Sequence, residues 1–262
     1  FIDEAKSYPD HPFLHSYPEE ADGFQGLDFH LRYDDFEVAL TDRARVVEIA
    51  RQFARFYDRG ESAEAMRPVA SARRDVPVSD GLVRHFISTP WTDGWAQEAL
   101  YVDLFDAATR EIFIDSPFNY PPPAIEAALL RAAARGVDVR FVTRRGADEP
   151  PALFTRALNA RFDDARRGAF RFRVYDTRDR LLHAKIIVID DRVGVVASTN
   201  LNRRSFIHDT ENGLVFLDRA VARRLRAEAE RYWAMSAAAD DPASYRFPLG
   251  LFAAIPWLEQ FF

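Results

Sequence analysis

The sequence predicts an α/β fold, in which helices flank a central mixed, mostly parallel β-sheet. Segments with the period of strands alternate with segments with the period of amphipathic helices, and this alternation is typical of strands that are joined through helices. The chain has 262 residues, of which 48% are hydrophobic, and this is enough for one large domain or two modest ones.

The composition excludes several kinds of site and partner. The chain has no cysteine, which rules out disulfides, thiolate catalysis and cysteine-ligated zinc. Its formal net charge of −6 argues against a broad basic face, so we expect no nucleic-acid partner. The histidines show no metal-ligand spacing, and we expect no metal or other cofactor. No apolar run reaches the roughly 18 residues that a membrane-spanning helix needs.

The first part of the chain contains one strand and one helix between irregular segments. Residues 1–33 are rich in Pro, Asp and His without a period and indicate a loop. FEVAL at 36–40 alternates as a strand, and TDRARVVEIARQFARFYDRG has the apolar stripe of a helix that ends at Gly60. The segment that follows, from residue 61, resembles a linker between two lobes.

The middle of the chain alternates more regularly. REIFID is a predicted strand, AIEAALLRAAAR a helix with Gly136 just past its end, and VDVRFVT the next strand. ALFTRALNARFDDARRG is then a helix, and FRFRVYD a further strand. This order is the basis for expecting parallel neighbours in the sheet.

The two ends of the chain resemble each other. DFEVALTDRARVVEIARQFARFYD at 35–58 aligns without gaps with ENGLVFLDRAVARRLRAEAERYWA at 211–234, so that Asp35 falls on Glu211. An internal repeat explains this alignment, although any strand followed by an amphipathic helix could align as well. If the repeat is real, the first copy is present only as its tail, and we expect the chain to be the C-terminal portion of a longer protein.

The segment LLHAKIIVIDDRVGVVASTNLNRRSF, residues 181–206, contains the strongest motif. Side chains alternate along a strand, so His183 and Lys185 project from one face. IIVI is a buried strand, a turn follows it, and VGVVA returns beside it. Ser198 and Asn200 again share a face after this second strand.

These residue types suit attack on a phosphodiester without a metal. An ammonium binds a phosphate oxygen as a compact charge. An imidazole titrates near neutral pH and serves as nucleophile or as acid and base. Serine and asparagine donate hydrogen bonds to phosphoryl oxygens without adding charge.

HAKIIVID followed by ASTN resembles the H-x-K-x4-D-x6-G-S-x-N signature of the phospholipase D superfamily. The continuation NLNRRSF, with Glu211 beyond it, is similar to the bacterial cardiolipin synthase-like branch. Two positions depart from that pattern, since Ala197 replaces the usual Gly and Asn202 a common Asp. The resemblance covers about residues 30–235 and implies the phospholipase D-like fold.

The resemblance implies four regions. Residues 1–60 would be the tail of a first phospholipase D-like repeat, 61–90 a linker, 91–235 a complete second domain with the motif, and 236–262 an apolar C-terminal tail. Family members use two motifs at one shared site, so a second half is needed. It would come from the missing N-terminal segment or from a second copy of the chain.

The resemblance also implies a mechanism. One histidine attacks phosphorus to form a phosphohistidine, the other protonates the leaving alcohol, and water or an alcohol then releases the product. We expect His183 to be the acid-base partner. The roles of the remaining residues follow the family pattern: Lys185, Ser198 and Asn200 would bind the phosphate, Glu211 would accept a hydrogen bond from the ring of His183, Asp190 of the signature would organise the turn, and Asp35 would orient the missing histidine.

The expected function is phospholipid hydrolysis or phosphatidyl transfer by a peripherally membrane-associated enzyme. A nuclease of the same superfamily and a non-catalytic relative are the alternatives. FPLGLFAAIPWLEQFF at the C-terminus either packs on the core or enters a bilayer interface. Arg140, Arg144 and Arg145 either meet headgroup phosphates or form a solvated charged edge.

Overall fold

The computed structural model describes residues 32–34, 46–47, 49, 51, 82–90, 95–144, 150–175 and 180–262. Residues 46–47, 49 and 51 are helical, within the segment in which the sequence predicts a helix. The predicted strand at 36–40, Asp35 and most of the predicted linker lie outside the described residues.

Twelve strands and six α-helices are described. The strands are β1 Arg32–Asp34, β2 Leu82–Ser88, β3 Glu111–Asp115, β4 Asn119–Tyr120, β5 Asp138–Arg144, β6 Arg171–Tyr175, β7 Arg180–Leu182, β8 Ile186–Ile189, β9 Val193–Ala197, β10 Leu201–Asn202, β11 Glu211–Leu217 and β12 Ser236–Ala238. The helices are α1 Ala96–Asp106, α2 Pro123–Ala134, α3 Pro150–Arg166, α4 Arg203–Ile207, α5 Arg219–Ala234 and α6 Arg246–Ala254. Two 3₁₀ helices cover Pro242–Tyr245 and Pro256–Phe261.

Eight strands form the central sheet, in the order β12-β6-β5-β3-β8-β9-β11-β2. The predicted α/β class and the mixed sheet with flanking helices are confirmed. The expectation of a mostly parallel sheet is wrong, because only β3–β5 and β5–β6 pair in parallel and the other five neighbouring pairs are antiparallel. The parallel pairs are those joined through α2 and α3. The short turn from β8 to β9 cannot span a parallel crossover, so it forces an antiparallel pair.

Helices cover both faces of the sheet. Alternate residues of one strand enter different apolar layers, as β3 shows: Ile112 and Ile114 pack with residues of α1, α2 and α3, whereas Phe113 packs with residues of α5. The buried strands therefore carry near-continuous apolar sequence, with IIVI of β8 buried along its whole length.

The sheet extends beyond the predicted domain bounds of 91–235. Strand β2 lies inside the predicted linker and pairs with β11 over all seven of its residues. Strand β12 follows residue 235 and pairs with β6. A separate two-stranded sheet joins β1, from the predicted first-repeat tail, in parallel to β7. The division of the chain into two repeats stays a prediction.

The C-terminal segment folds back onto α3. The ring of Phe154 packs against Phe252 and Phe262, with ring centroids 5.8 and 5.4 Å away, and Phe252 is fully buried. Other aromatic side chains of the same segment remain exposed, with Phe247 at 73% and Trp257 at 60%. No helix among the described residues combines the length and the apolarity that crossing a bilayer requires.

We expect Gly213→Ala to lower the free energy of unfolding by about 1–3 kcal/mol, because overpacking of a fixed backbone is costly. A Cβ at Gly213 would lie 2.6 Å from the Cβ of Ala197 and 2.6 Å from a ring atom of Phe86. Urea denaturation measures this change. The control is Gly168→Ala, where a Cβ meets nothing within 4 Å. Equal stability of the two variants would refute the close approach of β9 and β11.

Candidate active site

His183 and Lys185 lie at one end of β8, immediately before this central strand begins. Both residues are half-buried, and the Lys185 ammonium donates a hydrogen bond to the backbone carbonyl of His183 over 2.6 Å. The strand itself lies between β3 and β9. His183 and Lys185 thus both lie at the start of this buried strand, and the pairing of the imidazole with the ammonium stays a prediction.

The antiparallel neighbour brings Ser198 to the same end of the sheet. The backbone N–H of Ala197 donates to the carbonyl of Lys185 over 3.3 Å, which fixes the two halves of the motif against each other. The Ser198 hydroxyl accepts from the backbone N–H of Asn212 over 3.0 Å and donates to the carboxylate of Glu211. Glu211 thus contacts Ser198 of the motif directly.

Asn200 is held by its backbone. Its N–H donates to the Ser205 hydroxyl over 3.2 Å, and the next N–H along the chain, of Leu201, donates to the Ser116 hydroxyl over 3.0 Å. The side-chain oxygen of Asn200 is buried and has no hydrogen-bond partner within the described part of the chain. A buried polar atom without a hydrogen-bond partner costs free energy of folding. The side-chain amide of Asn200 is therefore a candidate contact for a bound ligand.

Glu211 is buried, and burial raises the pKa of its carboxyl above the usual range. Hydrogen bonds with Ser198 and Ser205 and the nearby charge of Lys185 oppose that increase. The predicted hydrogen bond from the ring of His183 to Glu211 stays a prediction.

A pocket of about 230 Å³, including space open to solvent, lies beside Lys185. Its lining combines apolar side chains from the sheet with a few polar groups. The lining residues are Tyr101, Ile114, Asp115, Ser116, Lys185, Ile187, Val195, Thr199 and Leu201. Within the described ranges, no three His, Asp or Glu side chains converge as metal ligands would.

Helix α1 contributes residues that the sequence analysis missed. The side-chain amide of Gln97 donates to the Thr199 hydroxyl, and the buried hydroxyl of Tyr101 bonds to both. Burial raises the pKa of Tyr101 above its usual range, so the phenol stays neutral. Gln97, Tyr101 and Phe105 follow each other at intervals of four residues on one helical face, and all three are buried. This spacing was the feature of the sequence that could have predicted them.

Asp115 is also missing from the predicted site. It ends β3, pairs with Ile186 next to Lys185, and lines the pocket. It is fully buried, and neither carboxyl oxygen has a hydrogen-bond partner among the described residues. Burial raises the pKa of this carboxyl well above its usual range, and the charge of Arg231 offsets this only in part. Burial therefore favours the protonated, neutral form of this group.

Asp190 lies at the opposite end of β8 from Lys185, so the structure does not bring it together with the other predicted site residues. Its carboxylate accepts four hydrogen bonds, from the N–H and hydroxyl of Thr109 and from the N–H groups of Arg110 and Glu111. Burial tends to raise the pKa of Asp190, but these bonds outweigh it and hold the pKa below the usual value.

The turn that Asp190 begins is tight. Asp190 and Asp191 both have left-handed backbones, with φ of 55° and 52°. Two successive residues of this kind match the right-handed twist of a hairpin, and aspartate tolerates the conformation better than most residues do. The carboxylate of Asp190 therefore pins the β8–β9 turn to the loop before β3.

The two departures from the family signature have local explanations. The methyl of Ala197 faces Gly213 across the β9–β11 pair, so the missing side chain of Gly213 makes room for it. Asn202 accepts a hydrogen bond from the Ser205 N–H over 3.2 Å and caps α4, which aspartate would do equally well.

The arginines singled out in the sequence lie in different surroundings. Arg140 donates to Asp138 and Glu230, over 2.8 and 2.9 Å, and its guanidinium lies near the rings of Phe113 and Trp233. Its charge is thus neutralised within the domain. The guanidinium of Arg144 lies 4.8 Å from the ring centre of Phe118. Arg145 is outside the described residues.

Comparisons with known proteins agree with this geometry. Residues 101–233 match the family model described as "Cardiolipin synthase, PLD-like domain". Cardiolipin synthase A of Pseudomonas entomophila is 37% identical over 122 residues, which are 47% of this chain and 25% of that protein. The Pseudomonas fluorescens SBW25 protein of the same name is 30% identical over 152 residues, which are 58% of this chain and 31% of that protein. The chain thus spans about a quarter to a third of these relatives.

One solved structure with a similar fold is phosphatidylserine synthase of Haemophilus influenzae Rd KW20. The likeness has a TM-score of 0.57 at 16% identity and covers 69% of this chain and 48% of that one. At this identity it concerns the fold alone. It supports the phospholipase D-like architecture that the motif implies.

We expect Asp115→Asn to stabilise the chain at pH 7 and to have little effect near pH 4. The unfolded carboxyl ionises above about pH 4, whereas the folded one stays protonated to higher pH, so the wild type loses stability as pH rises through this range. Asparagine cannot ionise and avoids the loss. Urea denaturation at several pH values measures the difference, and a gap that does not depend on pH would contradict the neutral state of Asp115.

The opposite sign is expected for Asp190→Asn, which serves as the matched control. The pKa of Asp190 is lowered in the folded chain, so its contribution to stability is complete above about pH 4 and is lost in acid. We expect this variant to be about 2–4 kcal/mol less stable than the wild type at pH 7, because it disrupts several charge-assisted hydrogen bonds. The difference should shrink as the pH falls towards 3.

Proposed function

This chain belongs to the family of cardiolipin synthase phospholipase D-like domains, and on that premise we propose that it is part of an enzyme that acts on the phosphatidyl group of phospholipids. The observation that carries the proposal is the arrangement of His183, Lys185 and Ser198 at one end of the β8–β9 pair, with Lys185 lining a pocket. It acts as a phosphatidyltransferase or as a hydrolase, and the same groups serve either acceptor.

The reaction has two displacements at phosphorus. In the first, the histidine of a second motif attacks the phosphodiester, a nitrogen–phosphorus bond forms, and the bond to the leaving alcohol breaks. His183 gives the departing alkoxide its proton. In the second, His183 takes a proton from water or an acceptor alcohol. The oxygen of that molecule attacks phosphorus, and the bond from phosphorus to the histidine of the second motif breaks.

The other site residues bind the phosphate and its developing charge. The ammonium of Lys185 neutralises a non-bridging oxygen, and it is oriented by its bond to the His183 carbonyl. Ser198 and Asn200 contact the remaining oxygens. The carboxylate of Glu211 accepts a hydrogen bond from the Ser198 hydroxyl and thereby positions the serine. In this proposal, the same carboxylate also orients the imidazole of His183.

The proposal requires a second motif. The curated relatives are three to four times as long as the segments that match this chain. Strand β1 pairs in parallel with β7, so that Asp34 lies opposite Leu182, next to His183. The chain that precedes the domain therefore reaches the site, which favours the N-terminal segment over a second copy as the source of the missing histidine.

We place the enzyme at a membrane surface as a peripheral protein.

We expect His183→Ala and Lys185→Met each to lower turnover of phosphatidylglycerol by at least about 10²–10³-fold, because each removes a group that acts on the reacting phosphate. The chain is expressed alone and joined to the segment encoded upstream of it. Mass spectrometry follows the lipid products, and acid quenching traps a phosphoenzyme. His85→Gln, on the edge strand β2, is the control and should retain activity.

The alternatives give different results in the same assay. Cleavage of single-stranded DNA without lipid turnover would indicate a nuclease of the superfamily. No turnover of phosphatidylglycerol, phosphatidylcholine or DNA, even with the upstream segment present, would indicate a non-catalytic relative.

A further inference from the structure

Three side chains outside the proposed catalytic set converge on the carboxylate of Glu259. Arg161 of α3 donates to one oxygen over 2.7 Å. The hydroxyl of Tyr120 donates to the other over 2.6 Å, and Arg203 of α4 approaches that same oxygen at 3.4 Å. Both oxygens of this carboxylate are therefore bound by groups from three separate elements.

The cluster carries more positive than negative charge. The guanidinium groups of Arg203 and Arg161 lie 4.5 and 5.1 Å from the ring centre of Tyr120. Among the described residues, Glu259 is the only acid paired with either arginine. The buried Nε of Arg203 has no acceptor within those residues. The two guanidinium groups thus share the carboxylate of Glu259, and the buried Nε–H of Arg203 is left without an acceptor among the described residues.

A phosphodiester matches this set of donors. It carries one negative charge on two non-bridging oxygens, as a carboxylate does, and paired arginines bind both kinds of group. Its larger size would also bring an oxygen closer to Arg203, which Glu259 reaches only at 3.4 Å. Glu259 therefore has the position that a phosphate would take.

Glu259 belongs to a segment that lies on the surface of the domain. The 3₁₀ helix Pro256–Phe261 has no buried residue, whereas Phe252 of the preceding α6 is fully buried and anchors that helix. Beyond Glu259, the segment is attached by stacking of Phe261 on His208 and of Phe262 on Phe154. Phe262 also packs edge to face on Phe252, so departure of the segment would expose one side of that buried ring.

The exposed side of the same segment suits a lipid surface. Trp257 is 60% exposed and Phe261 is 45% exposed, and the two rings pack edge to face. Aromatic side chains of this kind favour the interface between headgroups and acyl chains. A bilayer would offer a place for these rings and phosphates for the two arginines at the same time.

We propose that Arg161, Arg203 and Tyr120 form a second phosphate site, for the phosphodiester of a bilayer phospholipid, and that Glu259 occupies it until Pro256–Phe262 moves into the lipid surface. The site lies beside the candidate active site, because Arg203 follows β10 and Tyr120 pairs with Asn202 of that strand. The proposal rests on the proposed function for its choice of lipid, but it requires no catalysis.

Binding to vesicles tests the proposal without an activity assay. Phosphatidylcholine and digalactosyldiacylglycerol vesicles are both neutral overall, and only the first contains phosphate. We expect the chain to bind phosphatidylcholine at least about 5-fold more tightly, and hydrogen exchange in residues 256–262 to rise when it binds. Equal binding to the two lipids would show that Glu259 only holds the C-terminal segment on the domain and that Arg161 and Arg203 do not bind lipid phosphate.

Variants identify the residues. We expect Glu259→Gln to raise the affinity for phosphatidylcholine by about 3–10-fold, because it weakens the internal competitor. Arg161→Gln combined with Arg203→Gln should reduce that affinity to the galactolipid level. Arg167→Gln, just past the end of α3 and paired only with Asp164 among the described residues, is the matched control and should bind as the wild type does.

Two further results would overturn the proposal. Weaker or unchanged binding by Glu259→Gln would mean that the carboxylate does not compete with lipid phosphate. Release of residues 256–262 by millimolar inorganic phosphate alone would assign the site to a free anion. Lack of lipid turnover by the chain joined to its upstream segment, together with a retained preference for phosphatidylcholine, would contradict the proposed function and leave this site standing.

Discussion

The candidate site depends on the register of the β8–β9 hairpin. The carboxylate of Asp190 accepts four hydrogen bonds at the turn and holds it against the loop that leads into β3. At the other end of the hairpin, the bond from Ala197 to Lys185 sets Ser198 beside the ammonium. A slip of one residue would send these side chains to the opposite face of the sheet. One buried anion far from the chemistry therefore determines the geometry of the site.

The electrostatics of the site are as restricted as its geometry. Tyr101 and Asp115 are buried, and burial raises the pKa of both groups and so favours their neutral forms. Lys185 and Glu211 also lie at this end of the sheet, and the charge of Lys185 opposes the increase in the pKa of Glu211.

The positively charged surroundings of the site differ in how they are neutralised. Arg140, which the sequence singled out, is engaged by Asp138 and Glu230 within the domain. Arg161 and Arg203, which it did not single out, share Glu259 from the C-terminal segment. An internal ion pair on the rigid domain is permanent, whereas one supplied by a surface segment can be exchanged for an external anion. One side of the C-terminal segment packs on the domain and its other side is exposed, so packing is present and entry into a bilayer interface stays a prediction.

The sequence by itself determined the α/β class, the two strands of the motif and the residues that meet at its end, because these depend on local periodicity and on spacing within about 30 residues. The reason why Asn202 can replace aspartate came from the structure, in which its side chain caps α4. The directions of most strand pairs were decided by tertiary structure, because neighbours in the sheet such as β3 and β8, or β2 and β11, are distant in sequence. The same holds for Gln97 and Tyr101, and for the cluster of Tyr120, Arg161, Arg203 and Glu259. These residues come from elements distant in sequence, and only the folding of helices and tail around the sheet brings their charges together.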